Sequence, residues 1–460
     1  MRPIKRLSLL VLLAGCATQP AYERPPVELP AAWKESAPRF AADGRWWRIY
    51  EDAALEKLVE ESFSSNADLV VAAARVDEAR ALLGEARSGL FPRVDAQAAA
   101  TRQHNSAETA FSPPGAPREY GNYRATLNVS YDLDLFGRLS AGAAAARAEL
   151  AASEASREAV RLALAAQVAK SYFALRALDE QVDLTKKTLS LREEWLGLQR
   201  KRKDAGVIGD FELRQQEAET AAARAQLPPI EREREREETA LAVLLGRTPA
   251  AVFEPSIPRK PGPDEALKAA VVPAGLPSEL LLRRPDLVEA ERRMAAASAR
   301  IAAARAELFP SISLTAALGV ESAQLGSLFT GPAGLWMLGA SLAQPIFAGG
   351  RLEARTAAAE ARERAAVAQY VKAIQNAFGE VRTALAAQRR SRESFDAESA
   401  RAAALAETLR LARLRYENGI ASQLDVIDAE RGLLAARIAR IEALRAQRAA
   451  VADLFRALGG

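Results

Sequence analysis

The chain has 460 residues, of which 49% are hydrophobic and 27% are charged, so it is long enough for several domains and too apolar to be disordered throughout. Its net charge of +4 is too small to predict nucleic-acid binding, for which a concentrated basic patch is expected. The single His and single Cys exclude a His/Cys metal cluster and an intrachain disulfide, and the sequence has no phosphate-binding or dinucleotide-binding glycine motif. The composition therefore predicts a protein that is not an enzyme and that uses no cofactor or metal.

The N-terminus has the pattern of an exported lipoprotein. Three basic residues precede an apolar run at 7–13 that is too short to span a bilayer, so residues 1–15 are predicted to be a secretory signal peptide. The run leads into Leu-Ala-Gly-Cys, which resembles the lipobox of bacterial lipoproteins. This resemblance implies that Cys16 is acylated and begins the mature chain, and that Ala17 directs it to the outer membrane. Residues 16–50 would then be a lipid-anchored, proline-rich segment. The alternative is an ordinary signal peptide with an incidental Cys.

The rest of the chain is an internal duplication. The segment at 66–92 aligns with 284–310, and both end in Leu-Phe-Pro. The segment at 205–219 aligns with 418–432 in the same order. Such self-similarity is the first feature to establish, because each copy is then expected to fold on the same plan.

The duplication predicts two repeats of one architecture. Repeat 1 is expected at 51–247 and repeat 2 at 278–460, and a proline-rich linker at 248–277 joins them. Each repeat is predicted to contain a helix, a β-hairpin, a very long helix, a tight turn and a returning helix. The turns are expected at about 204–210 and about 418–422.

The hairpins are predicted at about 92–136 and about 310–347. The proline of Leu-Phe-Pro cannot continue a helix and pushes the residue before it towards extended geometry. Apolar and polar residues then alternate, most regularly in the segment that begins at Tyr123, and this period of two is typical of a strand with two unlike faces. Strands of about ten residues suit a tilted membrane strand, although a soluble sandwich strand also alternates.

Four strands per chain predict an oligomer. Four strands cannot close a barrel, and an open sheet edge cannot lie in lipid. Two chains would supply eight strands around a filled interior, whereas three would supply twelve strands around a lumen. A conduit requires the second arrangement.

The helices are predicted to be longer than a compact domain allows. Proline is absent from about 139–203 and about 352–417, so each stretch can form a helix of roughly 65 residues, or about 100 Å. Apolar residues recur with heptad spacing, which is typical of a coiled coil. Pro228 and Pro229 predict a break in the returning helix of repeat 1, and the Glu-Arg run at 231–238 is interpreted as a solvated face.

These segments resemble the outer-membrane factors of tripartite efflux systems, the TolC-like family, and most closely its lipoprotein branch that works with resistance-nodulation-division pumps. The resemblance covers nearly the whole mature chain in order and in both repeats. It is carried by the segments at 45–76 and 275–293 and by "YDLDLFGR", "AELFPSISLT", "PIFAGGRL" and "ENGIASQLDVIDAE".

The resemblance implies a mixed, mainly α fold in a homotrimer. Twelve strands would form a transmembrane β-barrel in the outer membrane, and a long coiled-coil α-helical barrel would extend into the periplasm. The implied function is the channel-tunnel of a tripartite efflux pump, a passive exit duct for small molecules. Its implied partners are a periplasmic adaptor, an inner-membrane efflux transporter and outer-membrane lipid, with no nucleic acid.

The resemblance also implies a gate at the periplasmic end of the helices. The family's acidic gate residues fall on Asp425 and Asp428, its constraining tyrosine falls on Tyr416, and the corresponding acid of repeat 1 is Glu212. The two aspartates lie three residues apart and so share one helical face. Their alternative role is a favourable interaction with the positive end of the helix dipole.

The sequence departs from the family pattern at one position, and it leaves one alternative function open. Some family members have an arginine two residues after the turn glycine, where this chain has Ala421, so a residue such as Arg415 would have to replace it. The runner-up function is a periplasmic coiled-coil adaptor or scaffold lipoprotein, which explains the helices but not two long amphipathic hairpins.

Overall fold

The computed structural model describes residues 44–106, 118–260 and 280–460. The signal peptide, Cys16 and most of the linker predicted at 248–277 lie outside the described residues. The described chain forms two compact units. The first unit contains 75–106, 118–154 and 289–371, and the second contains 44–74, 155–260, 280–288 and 372–460.

The same order of elements occurs twice along the chain. Each time, a helix of 22 residues precedes two strands, a helix of 67 residues and a returning helix of 35 or 36 residues. The elements are α1 (Ala53–Ser65), α2 (Ala67–Ser88), β1 (Arg93–His104), β2 (Glu119–Leu133), α3 (Arg138–Asp204), α4 (Asp210–Leu244), α5 (Pro249–Phe253), α6 (Leu280–Arg283), α7 (Pro285–Ala306), β3 (Ser311–Ser322), β4 (Gly334–Ala343), α8 (Arg351–Glu417) and α9 (Gln423–Leu458).

Helix α4 continues through its two prolines, so the predicted break at Pro228 and Pro229 is wrong. Each proline removes the hydrogen bond to the carbonyl four residues earlier, which here belongs to Arg224 or Ala225. Both of these residues are exposed, so water can solvate the freed carbonyls. Ion pairs to α3 on both sides of the prolines also hold α4 in place, from Arg224 to Glu193 and from Glu231 to Lys186.

The Glu-Arg run at 231–238 is only partly a solvated face, because several of its residues contact neighbouring side chains. Glu231 lies 2.8 Å from Lys186 of α3, and Glu237 accepts a hydrogen bond of 2.6 Å from Ser171. Glu238 is buried and pairs with Arg259 at 2.6 Å. The run therefore joins α4 to its neighbours as well as facing solvent.

The four described strands form one antiparallel sheet in the order β1-β2-β3-β4. Strands β2 and β3 come from different repeats and pair over eleven residues of each, from Tyr123 to Leu133 and from Ile312 to Ser322. The duplicated hairpins are therefore continuous with each other. Strands β1 and β4 form the two edges.

An aromatic core holds the second unit together. Trp46 stacks on Phe455 of α9 with ring centroids 5.3 Å apart, and Tyr50 packs against Phe173 of α3 at 4.6 Å. The hydroxyl of Tyr50 donates to the carbonyl of Arg448 at 2.7 Å, so the buried ring keeps a polar partner. The segment before α1 is thus fixed against the end of the chain.

In both repeats, a side chain from before the first long helix donates a hydrogen bond to a carbonyl at the end of the returning helix. Asn66, which caps α2, donates its side-chain amide to the carbonyl of Leu244 at the end of α4, at 2.9 Å. Arg284, at the equivalent place before α7, donates to the carbonyl of Ala457 at the end of α9, at 3.0 Å. Both contacts satisfy a helix-terminal carbonyl that has no partner within its own helix. Within the described ranges, none of the helices is long and apolar enough to cross a membrane.

Candidate functional site: the sheet face and the helical turns

One face of the sheet is apolar across all four strands. Ala96 of β1 lies opposite Leu127 of β2, Leu127 opposite Leu318 of β3, and Leu318 opposite Trp336 of β4. The next row repeats the pattern with Val94, Val129, Ala316 and Leu338.

This apolar face is open rather than packed. Trp336 and Leu338 are 74% and 75% exposed, and Leu318 is 65% exposed. A contiguous exposed apolar surface of this kind marks a contact with lipid or with another protein. The face therefore requires a non-aqueous neighbour.

The apolar rows have the height of a lipid-facing band. They extend from the pair Tyr123 and Ser322 to the pair Leu133 and Ile312, about ten residues along the strand. Strands in outer-membrane barrels tilt by about 40°, so this length corresponds to a band about 25 Å tall. That height matches the apolar girdle of such barrels.

The opposite face of the sheet is mainly polar. Asn128 lies between Asp95 and Ala317, and Ser130 lies between Arg93 and Thr315. Charged and amide side chains at these positions suit a water-filled lumen. Met337, which lies opposite Ala317, is an apolar exception on this face.

The two helical turns close in the same way. Gly206 and Gly419 have φ angles of +72° and +70°, in the left-handed region that glycine enters without a steric penalty. The residue after each glycine donates its N–H to a carbonyl of the preceding helix, that of Arg202 or Arg415, at 2.8 Å. These are the contacts of a Schellman helix end, and they fix where α3 and α8 stop.

Asp425 and Glu212 cap the helices that follow the turns. The Asp425 carboxylate accepts from the Ser422 hydroxyl and from its backbone N–H, each at 2.8 Å. Glu212 accepts from the backbone N–H of Gly209 at 3.1 Å. The hydroxyl and then the N–H of Ser422 lower the pKa of Asp425 below its usual range. The helix-terminus role that the sequence offered for Asp425 and Asp428 therefore applies to Asp425, and Glu212 makes the matching contact in repeat 1.

Asp428 follows Asp425 on the exposed side of α9. Its side chain is 62% exposed, and its Oδ1 lies 3.7 Å from Nη1 of Arg431. Asp425 is also exposed. The two carboxylates thus face solvent on the same helix surface, as their spacing predicts, but each has its own neighbours.

Tyr416 fastens α8 to α3. Its hydroxyl accepts from Nη1 of Arg202 at 2.8 Å and lies 3.4 Å from the side-chain amide of Gln199. Its ring packs against that of Trp195 in a T-shaped arrangement, with the ring centroids 6.0 Å apart. Arg202 is thus the guanidinium partner of Tyr416, and a replacement of the family's arginine by Arg415 stays a prediction.

Three glutamines that are hydrogen-bonded to one another lie beside Tyr416. Gln423, the first residue of α9, donates to Gln216 of α4 at 3.3 Å and to the carbonyl of Glu212 at 3.4 Å. Its amide oxygen accepts from Gln199 of α3 at 3.4 Å. All three glutamines are buried, so the start of α9 is hydrogen-bonded into the α3–α4 pair.

The sequence reasoning missed Arg202, Gln199 and Gln423. Arg202 lies in a basic run at the end of a helix, where cations commonly complement the helix dipole, so its local context does not single it out. The glutamines leave no local signal either, because their partners lie more than 200 residues away. Among the residues that the structure describes, no group of His, Cys, Asp and Glu could hold a metal ion.

The family model of the outer membrane efflux proteins matches residues 58–247 and 276–460 of this chain. The chain belongs to this family. It is 37% identical to the probable efflux pump outer membrane protein TtgC of Pseudomonas putida, over 99% of this chain and 95% of that protein. It is 34% identical to the cation efflux system protein CusC of Escherichia coli, over the full length of both.

Solved structures agree with this membership. The Campylobacter jejuni CmeC outer membrane channel superposes with a TM-score of 0.91 at 25% identity, over 96% of this chain and 95% of that one. The open state of the Neisseria gonorrhoeae MtrE outer membrane channel gives a TM-score of 0.86 at 34% identity, over 97% and 98%. This efflux protein is therefore an outer-membrane channel with a mixed, mainly α fold, and the adaptor or scaffold alternative is set aside.

Proposed function

We propose that three copies of this chain form the exit duct of a tripartite efflux pump. The open apolar face of the four-stranded sheet carries the proposal, together with the free edges of β1 and β4. Three sheets joined at these edges would close a twelve-stranded barrel with lipid outside and a polar lumen inside. Repeats 51–247 and 278–460 would each supply one hairpin and one helical pair.

The duct would work with a periplasmic adaptor and an inner-membrane transporter. Relatives carry names that refer to an antibiotic efflux pump, a toluene efflux pump and cation efflux. Since channels of one architecture serve such different cargoes, we expect the inner-membrane partner to select the substrate. This chain would supply the path to the exterior and no catalytic step.

We propose that Cys16 anchors each chain to the outer membrane. The lipobox resemblance supports acylation there, and Cys16 is the only cysteine of the chain. The subunit mass should equal residues 16–460 plus the lipid, and Cys16→Ser should remove the added mass. A mature chain that begins elsewhere without lipid would refute the anchor. We expect the variant to fold, because the barrel also holds the membrane.

The turns between the long helices are proposed to form the periplasmic gate. In a trimer, Asp425 and Asp428 would each occur three times around one mouth, and a narrow passage focuses their field on cations. Tyr416 and Arg202 would hold the second helical pair in the closed position, and Glu212 would fix the neighbouring turn. Docking of the adaptor and transporter would shift the population towards an open state.

The conductance of single channels in a planar bilayer tests the closing role of Tyr416. Tyr416→Phe removes the hydroxyl that accepts from Arg202 and keeps the ring, so the resting conductance should rise. Tyr120→Phe is the matched control, because it removes a hydroxyl that bonds Gln103 in the sheet and should leave the conductance unchanged. Equal conductance of Tyr416→Phe and the original protein would place the closing contact elsewhere.

A further inference from the structure

Four alternating charges connect Asp428 to the interior of the α3–α4 pair. Arg192 of α3 lies 3.4 Å from the carboxylate of Glu219 of α4, and both side chains are buried. Glu219 also accepts from Nε of Arg431 at 3.0 Å and from a second nitrogen of the same guanidinium. The other side of that guanidinium lies 3.7 Å from Asp428.

Buried Glu219 orients the Arg431 guanidinium. The two-point contact uses the fork geometry of arginine and fixes the direction of its remaining nitrogen. Arg192 is itself held by a bond of 2.8 Å to the Glu219 carbonyl, so the carboxylate cannot swing freely. The bond to Glu219 also raises the pKa of Arg431. Arg431 is thus better ordered than the arginine of an ordinary exposed pair.

The buried ion pair of Arg192 and Glu219 belongs to repeat 1 and is not found at the equivalent positions of repeat 2, which the structure describes. The positions equivalent to Arg192 and Glu219 in repeat 2 are Leu405 and Gly432, and a Cβ added to Gly432 would lie 3.4 Å from Leu405. The helical pair of repeat 2 therefore packs through an apolar contact at the same level. A buried ion pair is not required there for the helices to associate.

The two acidic positions of α9 differ in their counter-charges. Asp425 is bonded to the neutral Ser422, and Arg415 acts on it only through space as the smallest of the influences on its pKa. Asp428 is the end of a string whose four charges sum to zero. We infer that Arg431 is a specificity-determining residue of the channel mouth, which offsets the charge of Asp428 and so lowers the net negative charge that α9 presents there. This inference rests on the proposed gate.

The cation-to-anion permeability ratio of single channels tests the inference, measured as the reversal potential in a salt gradient. Arg431→Gln should raise the ratio by at least about threefold, because each chain then adds one negative charge to the mouth. Asp428→Asn should lower the ratio. The double variant Arg431→Gln with Asp428→Asn should return it close to the original value, since it removes both partners of the pair.

Matched variants keep the outcomes distinct. Arg437→Gln makes the same charge change at an exposed site further along α9, and its effect on the ratio should be much smaller. A ratio unchanged in Arg431→Gln but lowered in Asp425→Asn would overturn the inference and leave the proposed mouth standing. An unchanged ratio in both would overturn the mouth and the inference together. If Arg431→Gln raised the conductance but left the permeability ratio unchanged, the arginine would hold the channel closed without setting its selectivity. That result would also overturn the inference.

Discussion

The Asp425 carboxylate would have two roles in the proposed gate. It caps α9 through Ser422, and it is exposed where the proposed mouth would collect three copies. These roles are compatible, because a capping carboxylate is most effective while it is ionised. The hydrogen bonds from Ser422 keep the pKa of Asp425 below the usual range, so the charge persists in more acidic solution.

The pH dependence of selectivity should therefore respond to Ser422. Ser422→Ala removes the hydroxyl, the largest cause of the lowered pKa, so the pKa of Asp425 should rise towards its ordinary value. As the pH falls, the variant should lose cation selectivity at a higher pH than the original channel. Reversal potentials recorded across an acid titration measure this midpoint. Ser391→Ala, which removes a serine bonded within α8, is the control, and identical midpoints in all three proteins would contradict the assignment.

The sequence could predict Asp425 and Asp428 as candidate gate residues, but not the long-range contacts of the residues around them. The spacing of Asp425 and Asp428, and their place after Gly419, are local features that resemblance to a family can locate. Arg202, which contacts Tyr416, and Glu219, which contacts Arg431, lie more than 200 residues before their partners in the chain. Whether they meet α8 and α9 depends on how two helical pairs pack, and no local pattern encodes that packing.

At the scale of elements, the sequence predicts the strands better than it predicts helix α4. The alternation around Tyr123 predicts one apolar face, and the pairing of Leu127 with Leu318 places the apolar residues of both repeats on it. The alternation could not give the register between β2 and β3, because these strands come from separate hairpins. Helix α4 illustrates the opposite case, since contacts with α3 override the local effect of Pro228 and Pro229.

Substitutions on the two sheet faces should differ in cost. Leu127→Arg places a charge on the apolar face and should destabilise the barrel by about 2–4 kcal/mol per subunit if the site lies near the bilayer midplane. Asn128→Arg places the same charge next to Asp95 on the polar face, where it should be tolerated. Urea unfolding in phospholipid vesicles measures both variants. Equal destabilisation, or a larger cost for Asn128→Arg, would reverse the assignment of the faces.

At the scale of the whole molecule, the duplication explains why one chain is incomplete. Two repeats supply two hairpins, and the sheet of the described strands ends at the edges β1 and β4. The exposed Trp336 and Leu338 lie on the edge strand β4, so isolation in water would leave both the edge and the apolar face unsatisfied. Self-comparison of the sequence reveals the repeats. The number of copies follows from barrel closure, which no single chain contains.

The number of subunits tests the central claim most directly. Native mass spectrometry of the protein released from detergent should give the mass of three chains, because three four-stranded sheets close a twelve-stranded barrel with a lumen. Circular dichroism of the same sample should report intact strands, which ensures that the measured species is folded. A stable monomer or dimer with intact strand content would contradict the proposed duct.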